Sequence, residues 1–70
     1  MVGIVELRQG LGWSQSELAR RARLSANTVR KAESGEPVSG GTATALAETF
    51  SEAYGRRILV RDIEGLNVVL

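Results

Sequence analysis

Residues 13–35 read WSQSELARRARLSANTVRKAESG, and this stretch decides the fold. Ser14-Gln15-Ser16-Glu17 has the form of a capping box. The Ser14 hydroxyl can accept from the Glu17 amide while the Glu17 carboxylate reaches back to the Ser14 amide. Trp13 before the cap and Leu18 after it suit a hydrophobic staple, so a helix is predicted to start at Gln15. Leu18, Ala19 and Ala22 give that helix a narrow apolar stripe. Ser25 is a second cap, opening a helix with Val29 and Ala32 on its inner face and Gly35 as its stop. Only Arg23, Leu24 and Ser25 separate the two helices, so they are expected to cross steeply. The small side chains at Ala19, Ala22 and Ala32 permit a close crossing, and Ala19 is expected to tolerate enlargement least.

On the N-terminal side, Ile4, Leu7 and Leu11 recur at helical spacing, which predicts a first helix over 2–11 ended by Gly12 in the left-handed conformation. On the C-terminal side, Pro37 to Gly41 reads as a loop. Ala43, Leu46, Ala47, Phe50, Ala53 and Tyr54 then mark a fourth helix ending at Gly55, with Ser39 and Thr42 both suitable as its cap. Beyond it lie an apolar cluster at Ile58-Leu59-Val60, a single helical turn at Asp62-Ile63-Glu64, and an extended segment from Leu66 to Leu70. No repeat or linker interrupts the chain, which reads as one domain over 1–70.

Composition narrows the chemistry. The 70 residues include no cysteine and no histidine, which removes disulfides, thiolate zinc sites, the usual general base and the commonest metal ligand. An enzyme is not expected, nor any metal, cofactor or small-molecule ligand. Charge arrives at Glu6 and apolar runs are short, so no signal peptide or membrane span is expected and the reading is cytoplasmic. Net charge is only +1, but its distribution is uneven. Arg20, Arg21, Arg23, Arg30 and Lys31 form a basic block, Glu33, Glu36, Glu48 and Glu52 an acidic stretch, and Arg56, Arg57 and Arg61 a second basic one. Such runs are either solvated helix faces or a surface for a polyanion.

Residues 15–34 resemble the helix-turn-helix of the Cro and phage-repressor family, the XRE-type regulators, through Gln15, Leu18, Ala19, Ala22, Leu24, Val29, Ala32 and Glu33. Arg8, the Leu11-Gly12-Trp13-Ser14-Gln15 run and Glu33-Ser34-Gly35 extend the likeness to about residue 55, while the last fifteen residues match only loosely. The resemblance implies an all-α, compact four- to five-helix lambda-repressor-like domain, with room for a short C-terminal strand. It implies that the third helix lies in the major groove of double-stranded DNA, with Ala26, Asn27, Thr28, Arg30 and Lys31 as base-reading residues. Ser14, Gln15, Ser25 and Ser34 become the phosphate contacts, which suits the unpaired amides of a helix N-terminus at the first three. It also implies a structural ion pair between Arg8 and Glu33. Two positions depart from the family pattern. Glu36 stands in a loop that, as the resemblance implies, approaches the DNA backbone, and Arg23 stands where the family usually has a glycine with positive φ.

The tail over 56–70 carries more apolar residues than a four-helix core of this size is expected to cover. Ile58, Val60, Leu66, Val68 and Leu70 are therefore expected to form a dimerisation surface, with Leu66 to Leu70 pairing to its own copy as a ribbon. The plainer alternative folds the tail back on the first and fourth helices. The function expected is a sequence-specific regulator, a dimeric Cro-like repressor of phage or prophage type acting on a palindromic operator. The alternative is an antitoxin or another module that covers a partner protein with the same fold.

Overall fold

A computed structural model describes residues 2–69; Leu70, expected in the dimerisation surface, lies outside them. In chain order the elements are β1 (Val2–Gly3), α1 (Ile4–Gly10), α2 (Gln15–Ala22), α3 (Ala26–Glu33), β2 (Val38–Ser39), α4 (Gly40–Tyr54), a 3₁₀ turn (Val60–Asp62), β3 (Ile63–Glu64) and β4 (Val68–Val69). Four helices with a few very short strands make an all-α helix-turn-helix domain. No helix among the described residues is long and apolar enough to cross a membrane.

Local chemistry sets most of the boundaries. The hydroxyls of Ser14, Ser25 and Ser39 each accept the amide three residues on, at 3.1, 3.1 and 3.2 Å, and so start α2, α3 and α4. Between the two caps open for α4, Ser39 is the one used, and Gly40 and Gly41 fall in the first turn. The left-handed conformation recurs at Gly12 after α1, Arg23 after α2, Gly35 after α3 and Gly55 after α4.

Three sequence expectations are corrected by pairing between distant segments. The first helix starts at Ile4 and not Val2, because Val2–Gly3 pairs in parallel with Ile63–Glu64 and the Glu6 carboxylate accepts the Gly3 amide at 3.0 Å. The helical turn expected at Asp62-Ile63-Glu64 lies two residues earlier. Asp62 accepts the Leu59 amide at 3.0 Å and closes the 3₁₀ turn there, which leaves Ile63–Glu64 free to pair with β1. The expected loop from Pro37 to Gly41 contains a strand, since Val38–Ser39 pairs in parallel with Val68–Val69.

Phe50, Leu18, Leu46 and Val29 are the largest fully buried side chains and come from α2, α3 and α4, with α2 in contact with both of the others. The Trp13 ring stacks near Phe50 with centroids 6.4 Å apart and planes inclined by 17°. The Tyr54 hydroxyl donates to the Leu7 carbonyl at 2.7 Å, tying α4 to α1. Gly10 permits this contact, because a Cβ there would lie 2.6 Å from the Tyr54 hydroxyl oxygen.

The tail is taken largely into this same core, contrary to the expectation that four helices would leave it uncovered. Ile58 and Ile63 are buried, and Val60, Leu66 and Val68 pack against the core half-buried. Ile58 is held there by Ser51, whose hydroxyl accepts the Ile58 amide at 2.8 Å, so it is not open to a second copy. One edge of β4 is occupied by β2 of the same chain, where a ribbon with a second copy was expected to draw on this segment. Among the described residues, the large apolar side chains left exposed are Val2 and Val69.

Candidate nucleic-acid interface

The candidate surface is built on α2, the turn at Arg23 and α3. Ser14 caps α2, but only half of the expected capping box forms. The Glu17 carboxylate bonds Arg20 and Arg21 instead of the Ser14 amide, because two guanidinium groups one turn away offer charged donors where the amide offers a neutral one. The hydrogen bonds from Arg21 and then Arg20 hold the Glu17 carboxyl below the usual carboxylate range. The Arg21 guanidinium also lies 4.6 Å from the centre of the Trp13 ring. Two members of the basic block are thus engaged within α2 and its approach.

At the turn, Arg23 adopts φ 60° and ψ 42°, the one non-glycine residue with positive φ among the described residues. The Leu24 amide donates to the Ala19 carbonyl at 2.8 Å and the Arg23 amide to the Arg20 carbonyl at 3.3 Å, which closes α2. The conformation is the one the family's glycine would adopt, obtained here from a residue that carries a Cβ.

Along α3 the two faces separate cleanly. Val29 and Ala32 are buried at 0% and 1% exposure, whereas Ala26, Asn27, Arg30 and Lys31 are exposed and Thr28 is half-buried. Thr28 lies partly under the Ser25 cap, its hydroxyl 2.8 Å from that of Ser25. Arg30 donates to the Asn27 side-chain oxygen one turn back, so the amide nitrogen of Asn27 is left to present outward. Of the phosphate candidates, Ser14, Ser25 and Ser34 are exposed and Gln15 is half-buried. The Ser34 hydroxyl donates to the Arg30 carbonyl at 2.9 Å, so its proton is engaged within α3. Glu36 is exposed three residues beyond the end of α3.

Arg8 ties this surface to α1. Its Nε donates to Glu33 Oε2 at 2.6 Å and its Nη2 to Glu33 Oε1 at 3.3 Å, a two-pronged pair with side chains 14% and 7% exposed. Its remaining nitrogen donates to the Trp13 carbonyl at 2.9 Å. Gln15 Nε2 donates to Glu33 Oε1 at 2.8 Å, so Gln15 belongs to the same network and fixes the start of α2 to the end of α3. Sequence reading gave Gln15 only a phosphate role. Its partner stands 18 positions away, and no local pattern marks the bond.

The residues expected to dimerise divide differently. Ile58 is internal, Val60, Leu66 and Val68 keep partial exposure, and Leu59 and Val60 border an open apolar groove against Ala47 and Ser51 of α4. Glu48, Glu52, Arg56 and Arg57 also line that groove.

Compared with known protein families, residues 4–52 match the model of a family described as Helix-turn-helix. No curated protein and no solved structure matches the chain.

Proposed function

Since the chain belongs to the XRE-type helix-turn-helix family of DNA-binding regulators, we propose that it is a sequence-specific, dimeric repressor of the Cro type, of phage or prophage origin, that binds a palindromic operator. The observation that carries this reading is the outward face of α3. Ala26, Asn27, Arg30 and Lys31 project from a helix whose other face is anchored by Val29 and Ala32 and whose end is fixed by Glu33. A rigid helix bearing an amide, a guanidinium, an ammonium and a methyl group suits the donors, acceptors and thymine methyls of the major groove. Thr28 adds a methyl and a hydroxyl at the margin of this face.

Ser14, Gln15 and Ser25 stand at helix N-termini, where free amides and partial positive charge favour phosphate, and Ser34 stands at the far end of α3. Gln15 acts in both capacities, since an amide nitrogen bonded to Glu33 keeps a second proton for a phosphate. For the dimer, the groove beside Leu59 and Val60 is self-complementary in kind. Glu48 and Glu52 line the same apolar strip as Arg56 and Arg57, so the groove carries both charge signs that a two-fold partner can match. Val60, Leu66 and Val68 supply the apolar margin of the tail, with Ile58 supporting it from inside.

The test is selection from a pool of randomised duplexes at about 0.15 M salt, where non-specific phosphate binding is weak. A palindrome with half-sites about 34 Å apart is the expected product. Asn27→Ala is expected to relax base preference at one position per half-site, weakening that site by roughly 1–3 kcal/mol. Enrichment of no sequence by folded protein would refute sequence reading, and a monomeric solution mass at binding concentrations would refute the dimer.

A further inference from the structure

The connection from α3 to α4 is pinned by the C-terminal tail. The last amides belonging to α3 are those of Gly35 and Glu36, which donate to Ala32 and Lys31 at 3.2 and 3.0 Å. Pro37 has no amide proton to offer. The next amide, that of Val38, donates to the Asn67 carbonyl at 2.8 Å, and the Asn67 side chain donates back to the Gly35 carbonyl at 3.4 Å. Val38 and Ser39 then pair in register with Val68 and Val69, and Ser39 is itself the cap of α4. The Gly65 carbonyl also stands 4.0 Å from where a Gly35 Cβ would lie.

Exposure assigns the parts. Leu66 and Val68 anchor the tail on the core, Val38 is buried beneath it, and Ser34, Glu36, Pro37 and Ser39 face solvent. We propose that β4 is a positioning element of the DNA interface: Asn67, Val68 and Val69 hold the exposed 34–39 connection, which continues from the end of α3, in the pose in which it lies beside the DNA backbone. This rests on the reading that the outward face of α3 lies on DNA. A connection left loose would have to be ordered as the complex forms, and that ordering would be subtracted from affinity. Phosphate contacts fix the register of a protein on its duplex, so a preset connection also fixes how α3 sits in the groove.

Val69 and Asn67 are exposed, so they can be changed with little loss of core. Val69→Pro removes a backbone donor from the strand pair, and Asn67→Ala removes the bond to Gly35 alone. Affinity for a fluorescent mixed-sequence duplex of about 30 base pairs is measured at about 0.05 M salt, with folding and solution mass read on the same samples. The temperature is set where Trp13 fluorescence shows each variant fully folded.

The expected result is a Kd raised roughly three- to tenfold for Val69→Pro and about twofold for Asn67→Ala, with folding and mass unchanged. A tail that merely stabilises the fold would lower the melting temperature and leave these Kd values alone. An unchanged Kd for folded Val69→Pro therefore overturns the proposal, as does a weaker Kd that tracks loss of the dimer. If Val69→Pro does not fold, an unchanged Kd for Asn67→Ala overturns it instead. Failure of the unaltered chain to bind any duplex would remove the DNA reading itself, whereas binding by that chain with indifferent variants removes only the role of β4.

Discussion

Replacing Glu33 with leucine removes the carboxylate that faces Arg8, and its consequence can be worked from the network. In the native chain the Arg8 guanidinium has three contacts, two to Glu33 and one to the Trp13 carbonyl, with the side chain 14% exposed. Glu33→Leu leaves that charge largely enclosed with the carbonyl alone, and removal of one partner from such a pair costs roughly 3–5 kcal/mol. Arg8→Met strands the Glu33 carboxylate, 7% exposed, with only the Gln15 amide. A chain of 70 residues has about 4–10 kcal/mol of total stability, so either change removes a large share of it. The melting temperature should fall by at least about 12 °C. The double variant removes both charges together and leaves only the Gln15 amide and the Trp13 carbonyl short of a partner. Its loss is expected to be about 1–3 kcal/mol, well below the sum of the single losses. Urea unfolding followed by Trp13 fluorescence gives all three values, since Trp13 is the single tryptophan and lies against Phe50. Single variants that each lose less than about 1 kcal/mol would show the pair behaving as an exposed one and refute the reasoning.

Arg23→Gly relieves a left-handed conformation worth about 1–2 kcal/mol, offset by the greater freedom of glycine in the unfolded chain, so a melting temperature higher by about 2–8 °C is expected from calorimetry. Glu17 is held below its ordinary titration range by Arg21 and Arg20, so its contribution is present above the unfolded value and lost as pH falls through the folded one. The stability difference between the native chain and Glu17→Gln should accordingly shrink between about pH 6 and pH 3, and a constant difference in urea titrations at both ends would count against it. Glu36→Gln removes a negative charge beside the end of α3, and affinity for all duplexes should rise about two- to fivefold at low salt by fluorescence anisotropy, less at high salt; equal affinities would place Glu36 away from the phosphates.

The parts of this domain that were legible in the sequence are those fixed within a few residues. The Ser14 and Ser25 caps, the stops at Gly12 and Gly55, and the inward positions Val29 and Ala32 all follow from local hydrogen bonding and helical spacing. Ser39 and Thr42 were equally good caps on local grounds, and the strand ending at Ser39 accompanies the choice. Val68–Val69 fall in the segment read as extended, but their pairing with Val38–Ser39 and the strands β1, β2 and β3 were not legible, because two residues carry no period and their partners are about 30 or 60 positions away. The same limit hid the burial of Ile58 and the bond from Gln15 to Glu33. Glu17 failed in a different way, since the capping rule does not weigh the arginines one turn on. The resemblance placed Arg8 opposite Glu33, and the two stand 2.6 Å apart.

The most direct test of the claim that α3 reads DNA is to titrate isotope-labelled protein with its selected duplex and follow each backbone amide by NMR. The largest shifts are expected from Ala26 to Glu36 and at Ser14 to Ser16, with the amides of 58–63 little changed. Shifts concentrated on α4 and 56–64, with α3 unmoved, would contradict it.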